Sequence, residues 1–135
     1  MRIEYLKTQI VTVVTIALAA FFLLLASHGY GGQVAHLDAT VQHLIAHVAQ
    51  SDLTFIRNDV SYTGKEASEH LQKKYAHFKD KIKAPEDFIE LCASRSLLSG
   101  KPYLVINEKG EKISASEWLR TELVVYRTSA AGESH

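Results

Sequence analysis

The feature that most restricts this chain is an uncharged run near its start. From Thr8 to Ser27 there is no charged residue, and Ile10 to Ala26 is almost wholly apolar. About twenty such residues span a bilayer as a helix. They also match the h-region of an export signal, with Arg2 and Lys7 as the positive n-region before it. No Lys or Arg follows Lys7 until Arg57, so the charge bias holds the N-terminus on the cytoplasmic side and sends the rest across. Two outcomes stay open. Cleavage near Leu25-Ala26-Ser27 or Ser27-His28-Gly29 makes residues 1–27 a signal peptide; without cleavage they are a membrane anchor. In both cases residues 28–135 form an exported domain, periplasmic in a Gram-negative cell and tethered to the inner membrane where the segment is uncleaved.

What remains is long enough for one small domain. Lys+Arg and Asp+Glu balance at 15 each, so no global charge favours nucleic acid or an anionic membrane surface. Membrane contact is expected through the N-terminal segment alone. Cys92 is the only cysteine. It cannot form an internal disulfide, and it reads as a core thiol.

Helical periodicity marks Gln33–Gln50, where Val34, Leu37, Val41, Leu44, Ile45 and Val48 make one apolar stripe. His36, His43 and His47 share another face. The His43/His47 spacing lets two imidazoles reach one metal ion, which makes the three histidines weak metal candidates beside the simpler reading of a polar face. Thr54–Tyr62 reads as a hairpin turning at Asn58-Asp59. Thr63 and Glu66 have the spacing of a capping box for a helix running to about Ile82. Its core face is Ala67, Leu71, Tyr75, Phe78 and Ile82. Lys73, Lys74, Lys79, Lys81 and Lys83 read as a solvated basic flank. Pro85 opens a short helix with Phe88, Ile89, Leu91 and Cys92 inward.

Ser94–Gly100 is too irregular for helix or strand. Tyr103–Ile106 and Lys112–Ser114 form a second hairpin around Asn107–Gly110. Ser114 or Ser116 caps a last helix that buries Trp118, Leu119, Leu123 and Tyr126. Thr128–His135 reads as a frayed polar tail. The fold class is therefore α+β: a small single domain of about four helices with two short β-hairpins.

No Gly-rich nucleotide loop, GxSxG, HExxH or CxxC is present. No cofactor is implied. Three functional readings stand. The first is a non-enzymatic binding or interaction module of the cell envelope. Arg57, Asn58, Arg95, Ser96 and Ser99 would hold a polar or anionic ligand, or an envelope protein, because guanidinium forks and hydroxyls suit carboxylate or phosphate. The same residues could instead simply pin a loop. The second is a small envelope hydrolase using a serine and His70, which needs a hydrogen-bonded Ser–His pair. The third is metal binding through His36, His43 and His47.

Phe55-Ile56-Arg57-Asn58, Tyr62, Glu66-Ala67, His70-Leu71 and Asp87-Phe88-Ile89 carry a resemblance. So do Ala93-Ser94-Arg95-Ser96, Ser99-Gly100-Lys101-Pro102-Tyr103 and Trp118-Leu119. Together they resemble a small bacterial exported family known only as a domain of unknown function, number 5329, over about residues 50–127. Asp59 departs from the glycine expected after Asn58. The resemblance implies a signal peptide, a periplasmic location and a compact α+β domain. It implies no substrate.

Overall fold

The computed structural model describes residues 1–132, the side chains of residues 18–30 excepted. The chain divides into two units, Met1–His36 and Leu37–His135. A first helix, α1, spans Arg2–Ala49. Within the first unit, Thr8 and Thr12 hydroxyls donate to carbonyls four residues back at 2.9 and 2.8 Å. Ile10, Val11, Val13, Val14 and Ile16 are exposed. Among the described residues no helix is long and apolar enough to cross a membrane. The second half of the expected h-region, with both candidate cleavage sites, lies outside the residues whose side chains are described.

The second unit is the α+β domain. The last turns of α1 bury Val41, Leu44, Ile45 and Val48, as the stripe requires. Val34 belongs to the first unit and is exposed. Strands β1 (Thr54–Arg57) and β2 (Val60–Tyr62) form the first hairpin. Its turn holds Asn58 at φ 52° and Asp59 at φ 66°. Two left-handed residues in succession match the twist of a two-residue hairpin. Asp59 takes the position that suits glycine, and Lys101 pairs with its carboxylate.

Thr63 and Glu66 form the capping box of α2 (Gly64–Phe78), with Thr63 N–H donating to Glu66 Oε2 at 2.9 Å. Helix α2 stops four residues short of Ile82. A 3-10 turn, Lys79–Lys81, follows it, and Ile82 then adopts extended backbone with its side chain buried in the core. The residue before Pro85, Ala84, is extended too, as proline demands of its predecessor. Helix α3 (Pro85–Phe88) runs on into a π-turn, Ile89–Ala93. Phe88, Ile89, Cys92 and Ala93 are all buried there.

Strands β3 (Leu104–Ile106) and β4 (Lys112–Ser114) make the second hairpin. The two hairpins join through antiparallel β1–β3 pairing, giving one sheet of order β2-β1-β3-β4. Helix α4 (Ala115–Gly132) closes the domain with Leu119 and Leu123 in the core and Trp118 edge-on to Phe55. The expected fraying from Thr128 does not occur within the described residues. The Thr128 and Ser129 hydroxyls donate to the carbonyls of Val124 and Val125, and the helix continues to Gly132. Arg127 also ties α4 to Glu86 with a two-pronged contact of 2.5 and 3.1 Å.

Candidate functional site

Strand alternation sets the site. Side chains two apart on a strand share a face, so Arg57 lies on the same inward face as buried Phe55. Phe55 pairs with Tyr62 on one side and Val105 on the other, which brings Tyr62 onto that face as well. Tyr103, two before Val105, follows the same parity. Helix α2 lies against this face and contributes Glu66, Ala67, His70 and Leu71. Between them is a cleft of about 220 Å³. Its deep wall is apolar and includes Val48, Phe55, Ala93, Ala115 and Leu119. Its polar wall consists of Arg57, Tyr62, His70 and Tyr103, with Glu66, Glu69 and Lys73 on α2.

Four of these side chains, Arg57, Tyr62, His70 and Tyr103, form one connected network. Arg57 Nη1 donates to His70 Nδ1 at 2.7 Å, and Arg57 Nη2 donates to Tyr62 Oη at 3.2 Å. His70 Nε2 lies 3.1 Å from Tyr103 Oη. A guanidinium has donors only. His70 Nδ1 must therefore be the acceptor, and its ring proton sits on Nε2. That N–H donates to Tyr103 Oη, leaving the Tyr103 proton to point elsewhere. The same reasoning holds for Tyr62, whose oxygen accepts from Arg57. Burial, then the charges of Arg57, Lys74 and Lys73, push the His70 pKa down to about 4, which keeps the imidazole neutral at ordinary pH. Burial raises the Tyr103 pKa, so its hydroxyl stays protonated.

Lys74 is the residue that sequence periodicity misassigns. It sits in the lysine-rich flank, yet it is buried. Its Nζ donates to the Arg95 carbonyl at 3.0 Å and lies 5.0 Å from the centre of the Tyr103 ring. Burial pushes its pKa down, with the neighbouring Cys92 opposing that shift. Cys92 is buried and unpaired, and burial raises its thiol to about 11, as a core thiol should behave.

The five residues singled out from sequence separate into three places. Arg57 faces the cleft. Asn58, Ser96 and Ser99 bond to one another: Asn58 Nδ2 donates to Ser96 Oγ at 3.4 Å, and Ser99 Oγ donates to Asn58 Oδ1 at 2.5 Å. Ser96 Oγ also accepts from Ser99 N–H, while the Ser96 N–H donates to the Lys101 carbonyl. The Arg95 guanidinium is exposed and lies 3.6 Å from Glu90. Its backbone forms an isolated bridge with Pro102.

His70 has no serine partner: Arg57 and Tyr103 occupy its two ring nitrogens. His43 and His47 converge on one carboxylate of α4. His43 Nε2 is 2.7 Å from Glu122 Oε1, and His47 Nδ1 is 3.5 Å from Glu122 Oε2. His43 also stacks on Tyr126. Among the described residues, no group of three or more His, Cys, Asp or Glu side chains is placed to hold a metal ion. Tyr62, Lys74 and Tyr103 escaped the sequence-based choice of site residues. The signal for Tyr103 was the i, i+2 parity with buried Val105; Tyr62 reaches the same face by pairing across the hairpin with Phe55, while its own strand neighbour Val60 is exposed.

An α+β unit whose four-stranded antiparallel sheet meets helix α2 across a cleft with a polar wall places this chain among small mixed-fold domains. The chain belongs to the Family of unknown function (DUF5329), whose model matches residues 35–127. That match takes in the end of α1, beyond the segment that carried the resemblance. A relative from Salmonella typhimurium (strain LT2), "Uncharacterized protein YfeK", is 36% identical over 89 residues, covering 65% of this chain and 74% of the relative. No solved structure matches the chain at a significant level.

Proposed function

We propose that this protein is a non-enzymatic, exported binding module whose site is the Arg57–Tyr62–His70–Tyr103 cleft. One observation carries the reading: in the Arg57–Tyr62–His70–Tyr103 network both ring nitrogens are used while donors are left over, with the carboxylates of Glu66 and Glu69 standing apart on α2. The hydroxyl protons of Tyr62 and Tyr103 are not consumed by the network. Arg57 uses two of its five N–H donors within it. His70 spends both ring nitrogens on positioning its neighbours. Such a wall suits a ligand group rich in acceptors, and a guanidinium supplies the charge that favours an anion. The apolar floor supplies affinity for the rest of the ligand.

The Asn58–Ser96–Ser99 cluster serves as the brace that fixes the β1–β2 turn against the 96–100 loop, and Arg57 leads into that turn. The exported, periplasmic location rests on the composition of residues 1–27: basic residues, then the long uncharged run. Cell fractionation with a C-terminal reporter tests the location; a cytoplasmic signal would refute it.

Thermal unfolding of the full chain against inorganic phosphate, acetate, benzoate and benzamide tests the binding role. At least one acceptor-bearing compound should raise the melting temperature, because binding to the native state alone must stabilise it. The shift should vanish in Arg57→Met while the variant still folds by circular dichroism. No shift with any of the four would refute the reading.

A further inference from the structure

We infer that the ligand of this cleft is a monocarboxylate carried on a compact apolar body about the size of one six-membered ring. This deepens the binding role proposed above and rests on it.

Size comes first. An apolar cavity of about 150 Å³ holds benzene, and a water occupies about 30 Å³ of liquid. The cleft of about 220 Å³ therefore has room for one ring and a group the size of two waters. A carboxylate is such a group. A second ring or a sugar would have to extend out of the cleft.

Charge comes second. Arg57 is the cation built into the polar wall, held in place by His70 and Tyr62. On α2 the same cleft is lined by Glu66 and Glu69. Glu66 is held ionised because Thr63 bonds lower its pKa. Lys73 offsets one of the two carboxylates. With that offset, a dianion such as a phosphomonoester would meet one guanidinium and one uncompensated carboxylate, whereas a monoanion can be neutralised by the guanidinium alone.

Donor geometry comes third. Tyr62 and Arg57 are already bonded at 3.2 Å, and Arg57 and Tyr103 both bond His70. Arg57 and Tyr103 therefore flank the imidazole, and Tyr62 stands beside Arg57 in the same network. Two oxygens on one planar carbon can accept from the guanidinium fork and from a phenol at once. His70 stays out of the ligand's contacts and acts as a positioning residue. It fixes which way the Tyr103 hydroxyl proton points.

The test is calorimetric titration of the full chain with benzoate, cyclohexanecarboxylate, acetate, phenylphosphonate, benzamide and benzylamine at pH 7.5. Benzoate and cyclohexanecarboxylate should bind at least tenfold more tightly than acetate, phenylphosphonate or benzylamine. Arg57→Met should weaken benzoate binding about tenfold to a hundredfold, the range for a hydrogen bond to a charged group. Arg57→Lys, which keeps the charge without the fork, should recover part of it and guards against misfolding of the methionine variant. Leu119→Phe should abolish binding of both ring acids by filling the floor. Tighter binding of phenylphosphonate, or equal binding of acetate and benzoate, would overturn the ligand class while leaving an acceptor-binding cleft intact. Equal binding of benzamide would do the same by removing the need for an anion. Failure of every compound, benzamide included, would overturn the binding role itself and this inference with it.

Discussion

Arg57 Nη1 stands 2.7 Å from His70 Nδ1, so a permanent cation donates to an imidazole that must stay neutral to accept. Burial of that imidazole, with the Arg57 charge second, makes the domain sensitive to acid. His70 has a folded-state pKa of about 4 against an ordinary 6.5. Between those values the unfolded chain binds the proton and the folded chain resists it. Stability contributed by neutral His70 is thus complete above about pH 6.5 and is lost as pH falls towards about 4. The undiscounted shift corresponds to about 3 kcal/mol. Because the ring is only half-buried, solvent screening reduces this to about 1–2 kcal/mol. Denaturant titrations from pH 8 to pH 4 should show the fall, and His70→Gln should flatten it. An unchanged slope in that variant would move the acid sensitivity elsewhere. In Arg57→Met the His70 midpoint, followed by NMR, should rise without reaching 6.5, because burial is the larger cause.

Gly64 is a second position where one atom decides the outcome. A Cβ there would lie 2.3 Å from the Val48 carbonyl oxygen and 2.6 Å from that of Ser51. Both neighbours are backbone, so neither can rotate aside. Gly64→Ala should cost about 1–3 kcal/mol, the range for overpacking, by forcing α2 away from the end of α1. Gly100 differs: its φ is +69°, with open space around a Cβ. Gly100→Ala should cost about 1 kcal/mol, from left-handed strain alone. Chemical denaturation of the two variants compares them directly. Equal losses would mean that the approach of Gly64 to α1 is looser than its backbone contacts imply.

The Ser-Arg-Ser segment separates into a brace and a bystander. Ser96 is buried and its hydroxyl serves both Asn58 and the Ser99 N–H. Ser96→Ala should cost about 1–2 kcal/mol, the penalty for leaving such groups unpaired. Arg95 is exposed and its ion pair with Glu90 is long. Arg95→Ala should change stability by less than about 1 kcal/mol, as exposed pairs do. Urea midpoints of the two variants check this. A larger loss for Arg95→Ala than for Ser96→Ala would reverse the assignment.

Local rules made most of the architecture legible. The Thr63–Glu66 box, Pro85, and the glycine of the Asn107–Gly110 turn each announce an element boundary with short-range chemistry. What stayed hidden depended on contacts distant in sequence. Joining of the two hairpins rests on Phe55 meeting Val105 and Ile56 meeting Leu104, and nothing within either hairpin encodes that partner. The site was half visible for the same reason. Arg57 stood out as an arginine beside apolar strand residues, but its role depends on His70 and Tyr103, supplied by α2 and by the segment leading into β3. Lys74 was misread because a lysine among lysines looks solvated. Its burial follows from the Arg95 carbonyl and the Tyr103 ring meeting over it.

Lys74 gives a further separable prediction. Its ammonium is buried and bonded to one carbonyl at 3.0 Å, while its stem packs between α2 and the 94–103 segment. Lys74→Met keeps the stem and removes the charge. The lost hydrogen bond and the removed desolvation cost oppose each other, so stability should change by less than about 1 kcal/mol. Lys74→Ala removes the stem as well and should cost about 2–4 kcal/mol through the void it leaves. In both variants the His70 pKa should rise, since Lys74 is one of the charges that lower it. Denaturant unfolding and NMR titration of the two proteins measure these effects side by side. If Lys74→Met proved as damaging as Lys74→Ala, the ammonium bond to Arg95 would be the main contribution and the packing of the stem a minor one.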